Sequence, residues 1–198
     1  MILAFSFSFA SERFEARRSL VVQEANDIGT MYLRASYLPA GQADRFRSIL
    51  RDYTRARLGT FTRDPAIGTA MRRKATGLHD ALWSIAVTSA RADPSNVELG
   101  LLTQALNETI DISTTQYAEL RNHMPTPVLR LVLIVALAAM IILGVHLTRT
   151  RWPQIVLALV SGFLLATVIA AIIDLDRPLS GLVRIDLTPL QTELQSMQ

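Results

Sequence analysis

Two apolar runs stand close together near the C-terminal end of this 198-residue chain. Residues 131–145 read LVLIVALAAMIILGV, and the run grows to about twenty mostly apolar positions with Val128, Leu129 and Leu147, Arg130 lying near one end. Residues 155–173 read IVLALVSGFLLATVIAAII and hold no charge. About 20 apolar residues in a helix cross about 30 Å of hydrocarbon. Both runs carry small residues, Ala138, Ala139 and Gly144 in one and Ser161, Gly162 and Ala166 in the other, that let helices approach closely. A buried core helix of a soluble protein is the competing reading, and two such runs in tandem argue against it. The pattern predicts transmembrane helices over residues 128–147 and 155–173. The short connection HLTRTRWPQ makes them a hairpin, with Trp152 and the arginines at an interface. Arg130 can snorkel to the headgroups from the first turn of its helix.

The rest of the chain is far more polar, and its charge is balanced. There is a formal net charge of +3 and no cysteine, which excludes disulfides, thiolate nucleophiles and Cys-based metal sites. All the basic residues but Lys74 are arginine, and from 11 to 127 there are 15 basic and 13 acidic side chains, interleaved. That is a solvated helical surface, with no footprint for nucleic acid.

Turn signals divide this region into four helical segments. The first spans about 11–38 and stops at LPAG. The second, about 42–61, places Phe46, Ile49, Leu50, Tyr53 and Leu58 at helical spacing. RDPA then offers Asp64 as N-cap with Pro65 in the first turn, and ADPS repeats the device with Asp93 and Pro94. Helices over about 65–91 and 94–122 follow, and HMPTP breaks the chain before the membrane. The opening, MILAFSFSFA, is apolar but has no basic n-region for a secretory signal and is too short to cross a bilayer. It reads as the last turns of a truncated transmembrane helix running on into 11–38.

Few residues carry a chemical signature. His79, His123 and His146 are scattered, no HExxH, GxSxG, GxGxxG or phosphate-loop pattern occurs, and neither an enzyme, a metal site nor a cofactor is expected. On the first helix Val21, Ala25, Ile28 and Tyr32 share a face that Glu24 borders, close to Asn26 and Asp27. Glu24 is expected to pair with an arginine, either Arg17 or Arg18 on the preceding turns or one on another helix. Asn107 and Asp111, four apart on the last helix of the domain, are expected to meet the first helix in a polar contact.

Three phrases carry a family resemblance. FSFSFASERFEARRSLVVQEANDIGTMYLRASYLP, ALNETIDISTTQYAELRNHMPTPVLRLVL and IDLDRPLSGLVRI resemble bacterial bestrophin-like membrane proteins, a group of largely unknown function. The resemblance covers essentially the whole chain. It departs at Gln116, where the family pattern after DISTT implies an arginine, and in lacking upstream hydrophobic sequence. It implies a homo-oligomer in the lipid bilayer, multi-pass in a bacterial inner membrane, that passes small anions. A non-conducting membrane scaffold or sensor whose helical domain binds a partner is the alternative.

Two clusters follow from this frame. Asp174, Asp176, Arg177 and Pro178 form a charge cluster at the membrane exit; it either docks through Arg177 ion pairs or, with further ligands, clasps a divalent cation. Phe5 and Phe9, at i,i+4, are pore-lining candidates for a hydrophobic constriction, against plain aromatic packing. The fold class expected is an all-α membrane protein. Its parts are the end of a membrane helix at 1–10, a helical cytoplasmic bundle at 11–127, the transmembrane hairpin and a polar tail at 174–198.

Overall fold

The computed structural model describes residues 1–146 and 152–198. The turn of the expected hairpin at 147–151, with Leu147 at the end of the first apolar run, lies outside the described residues, as does the side chain of His146. Among the described residues all regular structure is helical.

Helix α1, Ile2–Arg34, carries the apolar opening unbroken into the charged stretch. It ends in a 3-10 turn at Ala35–Tyr37, after which Leu38 is extended. The proline that follows forbids a helical Leu38 by steric clash. Helix α2, Ala40–Thr60, starts on the Pro39 carbonyl, which accepts from Gln42 N at 2.8 Å and Ala43 N at 2.9 Å. Helix α3, Pro65–Ala92, is capped as its sequence predicts: Asp64 Oδ1 accepts from Ala66 N at 2.8 Å.

The second aspartate-proline pair behaves differently. Asp93 closes α3, its N–H bonded to Ser89 O, and helix α4 begins only at Val97 and ends at Arg121. Asn96 takes the capping role, its Oδ1 accepting from Leu99 N at 3.2 Å, while Asp93 Oδ1 accepts from the Ser95 hydroxyl. A carboxylate engaged with the residue two positions on forms a turn, and a turn delays the helix.

Helix α5, Thr126–His146, starts two residues before the apolar run, with Pro127 in its first turn where no N–H is needed. Helix α6, Trp152–Asp176, extends past the apolar run at both ends, so Asp174 and Asp176 belong to its last turn. The polar tail holds a further helix, α7, Thr188–Ser196. Asp186 Oδ1 accepts from both Thr188 N at 2.9 Å and Thr188 Oγ1, setting up that turn.

The chain divides into two compact units. One comprises Met1–Ala16 and Asn122–Arg184. In it Ala10, Met124 and Ile172 form a small buried cluster against which Leu3, Phe9, Val128 and Leu175 pack. Gly162 of α6 faces Met140 of α5, whose Cε would lie 3.0 Å from a Cβ there. Most of the remaining apolar side chains point outward, among them Ile134, Leu137, Ile141 and Ile142 on α5 and Leu157, Leu159, Phe163 and Leu164 on α6. Two helices this long and apolar can each cross a membrane, and their exposed faces are those a bilayer or a second protein surface would cover.

The other unit comprises Arg17–Arg121 and Ile185–Gln198. α2 packs along α3, α3 along α4, and α7 along α2. Val21, Ile28 and Met31 of α1, Phe46, Leu50 and Tyr53 of α2, Leu82 of α3 and Leu102 and Leu106 of α4 are fully buried. α7 closes this core with Leu190, and Met197 just after it is buried as well. Gly29 of α1 faces the Glu193 side chain, whose carboxylate oxygen would lie 2.7 Å from a Cβ there. The Met197 carbonyl accepts from Tyr32 Oη at 3.3 Å and Arg51 Nη1 at 3.1 Å.

The complete burial of Leu190 predicts that α7 is part of the domain's stability. Leu190→Ala should cost about 2–5 kcal/mol through lost burial and the cavity left. Denaturant unfolding of the detergent-solubilised protein measures it, and an unchanged midpoint would mean that α7 contributes nothing to the core.

Candidate functional site

The unit built from α1–α4 and α7 buries an ion pair at its centre. Glu24 lies on the apolar face of α1 between Val21, Ala25 and Ile28 and has no exposed surface. Its partner is Arg57 of α2, which is 5% exposed: Nε donates to Oε1 at 2.5 Å and Nη2 to Oε2 at 3.2 Å. Tyr53, one turn earlier on α2, donates its phenol to Oε1 at 3.0 Å. The two-pronged guanidinium contact matches a carboxylate in geometry as well as charge. Such a pair must be fully bonded, because two charges taken out of water otherwise cost more than their attraction returns.

α4 completes the network. Arg57 Nη2 also donates to Gln116 Oε1, and Gln116 Nε2 donates to the Leu20 carbonyl of α1 at 2.8 Å. At the position where the family pattern implies arginine, a neutral amide accepts from one helix and donates to another. α3 contributes His79, whose ring lies 4.4 Å from that of Tyr53 with planes tilted by 35°.

The electrostatics follow from burial. Burial and then the Glu24 charge push the Tyr53 phenol well above its usual range, with Arg57 opposing. Burial works against the Arg57 charge, but Glu24 and Tyr53 hold its guanidinium above the ordinary value. Burial and the Arg57 charge lower His79 from 6.5 to about 4, so its imidazole is neutral near pH 7. Asp27, further along α1, is raised by burial and by Glu108 and Glu24, and its Oδ2 is buried without a partner.

The other polar positions singled out on these helices lie elsewhere. Asn26 is exposed. Asn107 and Asp111 are also exposed and bond to each other, Nδ2 to Oδ2 at 3.1 Å, instead of reaching α1. Residues four apart on one helix satisfy each other without a second helix. Arg57 was the missing partner for Glu24. Its signal was present: positions 46, 50, 53 and 57 form one stripe on α2, and an arginine ending an apolar stripe calls for a buried counter-charge.

The membrane-exit residues spend their charges on the backbone. Asp174 Oδ1 and Oδ2 accept from Leu182 N at 2.6 Å and Val183 N at 2.8 Å, folding the following loop back on the helix end. Gly181 is required there, since a Cβ would sit 2.7 Å from Asp174 Oδ1 and 2.8 Å from its carbonyl oxygen. Asp176 Oδ1 accepts from Met124 N at 2.8 Å, and His123 Nδ1 lies 3.4 Å from Oδ2. Pro178 is buried, whereas Arg177 is exposed and its side chain makes no ion pair among the described residues. The docking is thus carboxylate to amide, without the Arg177 ion pairs expected from the sequence. Among the described residues no group of three or more acidic or histidine side chains is placed to hold a metal.

Phe5 and Phe9 have different surroundings. Phe5 is 71% exposed, whereas Phe9 packs on the cluster of Ala10, Met124 and Ile172, with the Arg13 guanidinium 5.3 Å from its ring centre.

The class these features define is an all-helical protein with two helices long and apolar enough to cross a membrane. It belongs to the bestrophin-like family, whose Bestrophin-like domain matches residues 1–190. Two solved structures of a bacterial bestrophin homologue from Klebsiella pneumoniae share its fold, each with a TM-score of 0.77 and 15% identity. One, carrying a tyrosine-to-alanine mutation, aligns with 99% of this chain over 80% of its own length. The other, obtained by Zn-SAD phasing, aligns with 99% over 79%. No curated protein matches.

Truncating one partner of the buried pair leaves the other charged and unbonded, so Glu24→Leu or Arg57→Met should each cost about 3–5 kcal/mol. The double variant should cost less than the two singles added, and denaturant midpoints of the four proteins measure the coupling. A strictly additive result would deny the pair.

His79 also sets an acid limb. The folded protein keeps it neutral down to about pH 4, while the unfolded chain takes up a proton below its ordinary 6.5. Unfolding therefore binds a proton in that window, and stability falls as pH drops from 6.5 toward 4, by on the order of 2–3 kcal/mol. Thermal unfolding at stepped pH should show the fall in the wild type and a shallower limb in His79→Gln.

Proposed function

We propose that this chain is one subunit of an oligomeric bestrophin-like channel for small anions, multi-pass in a bacterial inner membrane, with the helical domain at 11–127 in the cytoplasm. The observation that carries this reading, beyond family membership, is the exposure of apolar side chains around most of α5 and α6. Lipid can cover one face of such a helix and a neighbouring subunit another. In this reading several copies surround a shared axis along which anions pass.

In this reading Phe5 is the side chain available to line the path, and Phe9 supports it from within its own subunit. A ring of such phenyl groups gates by excluding water.

Light scattering in detergent, followed by reconstitution into chloride-loaded liposomes, tests the proposal. A closed oligomer with chloride efflux is expected, with Phe5→Ala changing the efflux several-fold and Phe9→Ala acting mainly on stability. Robust oligomers that pass no common anion would leave the scaffold reading in its place.

A further inference from the structure

We infer that the loop at 177–184, just beyond α6, is an interfacial lipid site. Leu182 and Val183 enter the edge of the acyl chains, and Arg177 and Arg184 hold the phosphate of an anionic phospholipid headgroup. The inference rests on the membrane reading above and does not depend on whether the protein conducts.

The loop is firmly held, and its tip is apolar. Past the end of α6 the Arg177 carbonyl accepts from Ser180 N at 3.1 Å and Gly181 N at 2.9 Å, which reverses the chain. The Asp174 carboxylate then ties down Leu182 N and Val183 N. A loose loop can tuck an apolar side chain away, but this backbone is bonded through the reversal, and Gly181 has no room for a Cβ. Leu182 is nevertheless 96% exposed, and Val183 is exposed beside it. A single exposed leucine is ordinary on a protein surface, so its position has to decide what covers it.

That position is the edge of the apolar run. The charge-free stretch of α6 ends at Ile173, and Asp174 stands two residues before the helix end, about 3 Å back along the axis at 1.5 Å per residue. By bonding Asp174, the returning chain brings Leu182 and Val183 back toward the hydrocarbon. Asp174 also continues, at helical spacing, the exposed row of Phe163, Thr167 and Ala170. The loop therefore meets a face of α6 that the described residues leave exposed, and Leu182 extends that face outward.

Charge selects the occupant. Arg177 and Arg184 bracket the tip, both are exposed, and neither makes an ion pair or a side-chain hydrogen bond among the described residues. Arg130 is a third such arginine, near the start of α5, and Asp176 holds the link before α5 against the end of α6 through Met124 N. The acids at this end, Asp174 and Asp176, turn their oxygens to backbone amides and to His123. A second copy presenting the same loop would bring arginine to arginine. A phospholipid phosphate instead offers a planar guanidinium two oxygens, and the acyl chains just below it take the leucine. Basic residues beside a membrane helix draw anionic lipid in this way.

The test uses the full chain in vesicles of equal parts phosphatidylcholine and phosphatidylglycerol. Trp83→Phe and Trp152→Phe remove the two native tryptophans, and Leu182→Trp places one reporter at the tip. Acyl-chain bromine, which quenches tryptophan on contact, is carried by the choline lipid in one arm and by the glycerol lipid in the other. Ile134→Trp in the same background reports the exposed apolar face of α5. Quenching at position 182 is expected in both arms, roughly twofold stronger with brominated phosphatidylglycerol, and the two arms should become equal in Arg177→Gln/Arg184→Gln. Both arginines are exposed, so that variant should keep its fold, which an unchanged thermal midpoint verifies. Quenching at position 134 but not at 182 would overturn the inference alone. Access of iodide would then put the tip in water, and exclusion of iodide would put a neighbouring subunit over it. Equal quenching from both lipids, or a preference that survives the double variant, would overturn it too. No quenching at position 134 would overturn the membrane reading and the inference with it.

Discussion

The carboxylate of Glu24 is the point on which the helical domain turns. It has no contact with water, so every electron pair it offers must be met from within the protein. Arg57 and Tyr53 meet it from α2, Gln116 extends the contact to α4, and the Tyr53 ring passes it on to α3 through His79. Apolar packing fixes how near these helices lie; it is indifferent to a slide by one turn. A bidentate guanidinium contact is not indifferent, because a one-turn slip would strand a charge in a medium that cannot solvate it. The pair therefore adds a directional contact among helices whose other buried residues, such as Val21, Ile28, Met31, Phe46 and Leu102, are mostly apolar.

The other unit uses carboxylates differently. At the end of α6, where apolar sequence gives way to polar, Asp174 and Asp176 accept backbone N–H groups from the loop that follows and from the link before α5. A helix leaving hydrocarbon exposes its last carbonyls, and the chain beyond must turn without leaving its own amides unbonded. Two aspartates spaced by one residue serve two different strands of chain there. The same chemistry occurs at the start of α3 and of α7, with Asp64 and Asp186 on the first amides.

Much of this was legible in the sequence, and the failures share a cause. The two long apolar runs, the helical punctuation at Pro39 and Asp64–Pro65 and the burial of Glu24's neighbours follow from period and local sterics. Asp93–Pro94 has the same letters as Asp64–Pro65 but ends a helix, because Asn96 competes for the capping position and local sequence alone does not rank the two. The α7 helix was hidden by its polar composition: nine residues bury little more than Leu190, too small an apolar stripe to stand out. The long-range choices, Glu24 with Arg57 and His79 against Tyr53, join residues 33 and 26 positions apart on separate helices, and no spacing rule within one helix can reach them. His79 in particular looked like one of three scattered histidines, since its contact with the Tyr53 ring belongs to no motif.

Gln116 carries a consequence for how such chains diverge. It presents an oxygen to Arg57 and a nitrogen to the Leu20 carbonyl, so it is charge-neutral and directional at once. An arginine at 116 could still donate to Leu20 but would offer Arg57 no acceptor, and two guanidiniums would then face one carboxylate. Positions 57 and 116 are therefore coupled: an arginine gained at 116 would bring a second buried charge to the one carboxylate that Arg57 already occupies.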